Sequence, residues 1–224
     1  LIVLATITPD THCPAGANWL EAKLGCTRAV SFDVTAACSG FIFALHVADK
    51  LIRAGANKKA LVVAGEIMSR VVNWKERESC ILWGDGSGAA ILGAFDHSEK
   101  GAPLRRDGKE IAEMLSVHIH TDGASGENLL LPGGGSKTTP ISHESVDKKR
   151  HTLRMIRANE SVRVAVRRFA EAAEEAEEQE RLARHASGHA ALAQDVRKPD
   201  HRDQSCVLQQ DQPQIGETRQ SDAH

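Results

Sequence analysis

Apolar residues open the chain as a nearly unbroken run, Leu1 to about Ile7, with β-branched members and a stop at Pro9. Such a run predicts a short strand covered on both faces. A helix is expected over Ala17 to Leu24, ending at Gly25, and a second short strand over Ala29 to Val34. From Ser39 to Ala54 the residues Phe41, Leu45, Ala48 and Ile52 recur at helical spacing, Ile42, Val47 and Leu51 widen the stripe, and Gly55 offers a C-terminal cap. Lys59 to Gly65 and Ser87 to Phe95 each hold a buried strand, on either side of a charged loop, Ser69 to Ser79. Ser116 to His120 alternates like a half-exposed strand, and Asp122 to Pro140 reads as a long Gly/Ser/Pro-rich connection. A long helix is expected from about Met155 to Glu178. Strands alternating with helices predict an α/β fold.

Beyond Gln179 the pattern changes. Residues 180–224 hold seven Gln, four His and few large apolar residues, too little to offset the entropy of ordering. This segment is expected to be a disordered or poorly packed tail.

Composition narrows the function. A hydrophobic content of 41% is ample for a core. The 28 basic residues nearly cancel the 30 acidic ones, so no overall field draws the chain to nucleic acid or to a membrane surface. Cys13, Cys26, Cys38, Cys80 and Cys206 are odd in number and scattered, without the spacing of a zinc site, and are read as free thiols in a reducing compartment. No metal or resident cofactor is expected. The apolar start has no basic region before it and soon meets Pro9-Asp10, unlike a signal peptide or a membrane span. It also lacks an initiating Met, and the expectation is that upstream sequence is absent.

The chemistry concentrates in Asp33-Val34-Thr35-Ala36-Ala37-Cys38-Ser39-Gly40-Phe41, where a cysteine sits at a strand-to-helix turn among small residues. A thiol at a helix N-terminus faces unpaired backbone N–H groups and the positive end of the dipole, which favour thiolate. Two readings stay open on these grounds alone, a nucleophile or a buried structural cysteine.

This stretch resembles the nucleophile motif of β-ketoacyl-acyl-carrier-protein synthase III, a condensing enzyme of the thiolase superfamily. Other segments agree in order. Thr6-Ile7-Thr8-Pro9-Asp10 resembles the family's strand and turn ahead of its dimer loop, Leu45 to Gly55 its nucleophile helix, and Trp83-Gly84-Asp85-Gly86-Ser87-Gly88-Ala89-Ala90 its glycine-rich turn. His118 to Gly123 with Leu130-Leu131-Pro132 resembles the joint between the family's two halves, and Asn159 to Ala176 its next helix. The resemblance covers roughly residues 1–176.

The resemblance implies a thiolase-like layered α/β fold, incomplete in this chain. On that basis 1–115 is the nucleophile half with its start missing, 116–178 the connection and first helix of the second half, and 179–224 an atypical tail. It implies that Cys38 takes an acyl group from acyl-coenzyme A and that the acyl-enzyme condenses with malonyl-acyl-carrier protein, in a cytoplasmic homodimer at the start of fatty-acid synthesis. In the family a His within Pro-His-Gln-Ala-Asn and an Asn within Gly-Asn-Thr-Ser promote decarboxylation, and neither motif occurs in these 224 residues. Two alternatives follow: an inactive or half-active synthase fragment, or a specialised polyketide- or ester-forming synthase of the superfamily. Arg77 falls where the family carries an arginine against the adenine end of coenzyme A, and Trp74 could stack beside it or pack locally. Cys13 falls in the loop that closes the partner's acyl pocket, commonly with a bulky residue; it either leaves room for a longer or branched chain or is an inert interface thiol. Gly84 to Gly88 lacks the helix and lysine of a phosphate loop and is read as a turn. His118 and His120 share ligand-like spacing without a third ligand.

Overall fold

The first apolar run forms strand β1 (Ile2–Ala5), and the chain then passes through helix α1 (Gly16–Leu24) into β2 (Ser31–Val34). A tight 3-10 turn, Ala37–Ser39, leads directly into α2 (Gly40–Arg53), which is followed by β3 (Lys59–Glu66), α3 (Arg77–Cys80) and β4 (Gly86–Phe95). The computed structural model describes residues 1–95, 105–106, 109–110, 112–136, 140–156, 158–193 and 205–209. Its later elements are β5 (Arg105–Arg106), β6 (Lys109–Glu110), β7 (Ala112–Met114), β8 (Leu129–Leu130), α4 (His143–Asp147), β9 (Arg154–Met155), α5 (Ala158–Ala193) and β10 (Ser205–Gln209).

The main sheet runs in the order β2-β1-β3-β4-β10-β7. Strands β2, β1 and β3 are parallel, with Ala5 opposite Val34 on one side and Ala64 on the other. Strand β4 is antiparallel to β3, and β10 is antiparallel to both β4 and β7. The chain therefore leaves β1 for β2 on one flank and returns past it to β3 on the other. In open α/β sheets that reversal of order places ligand-binding crevices at the carboxyl ends of the strands.

Successive strand residues face opposite sides of a sheet, and β1 shows both sides in use. On the Leu4 side lies the start of α1, where a Cβ at Gly16 would meet the Leu4 side chain. On the Ala5 side lies α2, where a Cβ at Gly40 would stand 3.1 Å from that of Ala5. Val3 and Ala5 join Leu45, Ala48 and Ile52 of α2, Val62 of β3 and Leu92 of β4 in one core. Ile52, Leu92, Val3 and Val62 are almost wholly inaccessible, and burying each contributes about 1.5–3 kcal/mol. The expected helical stripe is narrower than its apolar content suggested, since Ile42 is exposed.

Three expectations are corrected. Ser116 to His120 forms no strand: β7 ends at Met114 and, among the described residues, no strand pairs with the segment; alternation needs a partner to become a ladder. The long helix does not end at Glu178 but runs to Ala193. Most of its extension is Glu, Gln, Arg, Leu and Ala, strong helix formers that outweigh His185, Ser187, Gly188 and His189, and Arg181 pairs with Glu178 one turn earlier. Low apolar content limits packing but not helix propensity. Within the expected disordered tail, 179–193 are thus helical and 205–209 form a strand, which backbone hydrogen bonds can hold with few apolar side chains. Residues 194–204 and 210–224 lie outside the described residues. Among the described residues no helix is long and apolar enough to cross a membrane.

Candidate active site

Cys38 stands between a strand and a helix whose positions are both fixed. Strand β2 delivers the chain at Val34, whose carbonyl accepts the Thr6 N–H at 3.2 Å, so the end of β2 is tied to the end of β1. The next residues turn sharply. Ala37 sits at φ +46°, a left-handed conformation that costs a residue with a Cβ about 1–3 kcal/mol and that clusters at functional turns. Ser39 N–H donates to the Ala36 carbonyl at 3.2 Å, closing the 3-10 turn with Cys38 at its centre. Helix α2 begins one residue later, and the contact between Gly40 and Ala5 sets its first turn directly on β1. A side chain at residue 40 would push that turn off its seat.

The result is an exposed thiol at the leading end of a fourteen-residue helix, beside the carboxyl ends of three parallel strands. Among the described residues its sulfur has no hydrogen-bond partner. N–H groups in the first turn of a helix lack partners within it, and they and the helix dipole favour negative charge near the turn. The buried-structural reading of Cys38 is therefore set aside by its exposure.

Two carboxylates brace the strands beneath. Asp33 of β2 accepts the Gly16 N–H at 2.7 Å and the Ala17 N–H at 2.8 Å, capping α1, whose own cap residue Ala15 offers no side-chain acceptor. Glu66, the last residue of β3, accepts the Ile7 N–H at 2.9 Å and the hydroxyls of Thr6 at 3.3 Å and Thr8 at 2.5 Å. The glycine-rich turn is pinned in a similar way: Asp85 accepts both the N–H and the hydroxyl of Ser69 at 2.7 Å, and these bonds hold its carboxyl below the ordinary carboxylate range. That turn leads into strand β4, in keeping with a structural role.

The other residues singled out in the sequence lie on neighbouring segments. Cys13 is exposed in the loop after β1, where the Thr11 hydroxyl donates to the Pro14 carbonyl and accepts the Trp19 indole N–H. Arg77 is exposed at the first position of α3, and Trp74, also exposed, is steadied by its indole N–H on the Ser69 carbonyl at 3.3 Å. Cys38, Cys13 and Arg77 thus follow β2, β1 and β3 in turn, all beyond the carboxyl ends, and no hydrogen bond joins their side chains among the described residues. His118 and His120 have a different employment: both reach the carboxylate of Glu175 on α5, at 3.3 and 2.6 Å. The bond from His120, more than that from His118, holds the Glu175 carboxyl below its usual value. Among the described residues no group of three or more potential ligands is placed to hold a metal.

The bracing by Glu66 and Asp33 was not foreseen from the sequence. Its available signal was an acidic residue, Asp33 or Glu66, in each of two largely apolar strands, with threonines two apart just after a third.

Comparison with known proteins agrees with this geometry. Residues 32–123, which include the Cys38 turn, match the family described as 3-oxoacyl-[acyl-carrier-protein (ACP)] synthase III. The chain is 45% identical over 143 residues, 64% of its length and 42% of the relative's, to the beta-ketoacyl-[acyl-carrier-protein] synthase III of Rhodospirillum centenum. It is 40% identical over 173 residues, 77% of its length and 48% of the relative's, to that of Desulfitobacterium hafniense. Among solved structures it resembles the 3-oxoacyl-[acyl-carrier-protein] synthase III of Aquifex aeolicus VF5, with a TM-score of 0.58 and 30% identity, covering 78% of this chain and 47% of that one. The chain spans about half the length of the curated relatives it matches. Over its matched residues the chain is thus similar, in sequence and in its mixed α/β architecture, to the 3-oxoacyl-[acyl-carrier-protein] synthase III proteins and their thiolase-like fold.

Proposed function

We propose that Cys38 accepts an acyl group from acyl-coenzyme A and that the resulting acyl-enzyme is condensed with malonyl-acyl-carrier protein, the initiating reaction of fatty-acid synthesis. The observation that carries this reading is the exposed Cys38 thiol on a strained turn at the start of a buried helix. In the first half-reaction the thiolate attacks the thioester carbonyl, a sulfur–carbon bond forms, and the bond to coenzyme A breaks as its thiolate leaves. The Cys38 N–H, at the start of the helical turn, supplies a donor to the oxyanion. In the second, malonyl loses carbon dioxide, and the carbanion attacks the acyl carbonyl as the Cys38 sulfur departs.

Arg77 and Trp74 are assigned to the coenzyme A end. A guanidinium and an indole, both exposed on one short segment, suit a purine and its phosphates through stacking and paired hydrogen bonds. Cys13 is assigned to the acyl end across a homodimer interface, where a small side chain accommodates a longer or branched primer.

The half-reactions separate in experiment. The chain is incubated with radiolabelled acyl-coenzyme A and then with malonyl-acyl-carrier protein. Label retained on Cys38 supports acyl transfer, and release of labelled ketoacyl product supports condensation. A folded chain that takes no label contradicts the proposal. Label without condensation supports the half-active reading, favoured by the lack of the Pro-His-Gln-Ala-Asn and Gly-Asn-Thr-Ser motifs in this sequence.

A further inference from the structure

We infer that Glu66 is a positioning residue for the Cys38 turn, acting through Thr6 and Thr8 at the end of β1. The inference rests on the acyl-transfer reading for its kinetic meaning, but not for its geometry. The Cys38 turn is seated on the last residue of β1 and the one that follows it: Ala5 meets Gly40 at the head of α2, and the Thr6 N–H holds the Val34 carbonyl at the end of β2. From the other side that seat is held by a single carboxylate. Thr6, only 5% exposed, donates its hydroxyl to Glu66 and accepts the Thr8 N–H at 3.1 Å. The Thr8 hydroxyl donates to Glu66 and accepts the Ile67 N–H at 2.8 Å, so β1 and β3 are laced together beyond the end of their ladder.

A purely structural carboxylate could satisfy one backbone group and stop. Glu66 instead collects three donors from three successive residues, and those residues lead on one side to the nucleophile's seat and on the other to the loop bearing Cys13. Without it, the strand ends remain paired through Ala5 and Ala64, but Thr6 to Thr8 lose their fixed direction. The cost falls on the approach of thiol to carbonyl more than on binding of coenzyme A, because the segment from Ser69 to Trp74 that leads to Arg77 keeps its own anchors, Asp85 on Ser69 and the Ser69 carbonyl on the Trp74 indole. A misplacement of about an ångström at such a centre costs up to roughly a hundredfold in rate.

The test compares Glu66→Ala, Glu66→Gln and the near-isosteric Thr8→Val in the full chain. Two readouts are used: the rate of iodoacetamide alkylation at Cys38, followed by peptide mass spectrometry, and the dependence of acylation on acyl-coenzyme A. Glu66→Ala is expected to lower the saturating acylation rate by about tenfold or more with KM changed less than about twofold, and to slow alkylation of Cys38 relative to Cys26. Glu66→Gln, which keeps an oxygen for the Ile7 N–H, recovers most of the loss, and Thr8→Val falls between. Wild-type alkylation and acylation rates in folded Glu66→Ala and Thr8→Val overturn the inference, as does a rise in KM at an unchanged saturating rate. Should the parent chain take no acyl group at all, the acyl-transfer reading fails, while the alkylation comparison still decides the role of Glu66.

Discussion

At the scale of single residues the site depends on what is small as much as on what is reactive. Gly40 is the clearest case, since a Cβ there would stand 3.1 Å from Ala5 across the contact that seats α2. Gly40→Ala is expected to destabilise the fold by about 1–3 kcal/mol through overpacking, read as a lower urea midpoint at unchanged slope. Arg77 illustrates the opposite kind of residue, exposed at the first position of α3. Arg77→Ala should leave stability unchanged within about 0.5 kcal/mol and raise KM for acyl-coenzyme A by about tenfold with little effect on kcat, as loss of one charged contact predicts. The placement of Cys38 at a turn between strand and helix was legible in the sequence, because an apolar run precedes it and a helical apolar stripe follows. The left-handed Ala37 was not, because alanine carries no preference for that conformation.

At the scale of elements, strands and helices near the site followed their hydrophobic spacing, and the departures occurred where spacing gives no information. Helix α1 has no capping side chain of its own and borrows the Asp33 carboxylate from β2, a contact between residues seventeen apart that no local pattern reveals. Asp33→Ala is expected to cost about 0.5–2 kcal/mol in a denaturant melt and to increase hydrogen exchange at Gly16 and Ala17, while Asp33→Asn retains part of the cap. The paired histidines before Gly123 alternated like a strand yet serve to hold α5 through Glu175. The Glu175 carboxyl lies below its ordinary value, with the His120 bond as the first cause. Its contribution is therefore present above the ordinary carboxylate range and is lost as pH falls through the lowered value. A carbon-detected NMR titration should place Glu175 below an ordinary glutamate, and His120→Ala should return its midpoint toward the usual range. An unchanged midpoint in that variant would assign the shift elsewhere.

At the scale of the whole molecule, the resemblance read from the sequence over roughly residues 1–176 accompanies a mixed sheet whose parallel strands β1 and β2 lead to the exposed Cys13 and Cys38. What the sequence could not display was the role of the polar segment after Gln179. Its helix formers extend α5, and residues 205–209 enter the sheet between β4 and β7, a long-range pairing that composition does not encode. The matched region contains Cys38, the proposed nucleophile, so the central claim is acyl transfer to one sulfur among five cysteines. The direct measurement is peptide-mapped mass spectrometry of the chain after incubation with acyl-coenzyme A. The account predicts one acyl adduct, on the peptide containing Cys38 and absent from Cys38→Ser. A folded chain without the adduct, or one acylated equally at Cys13, Cys26 and Cys38, would contradict it.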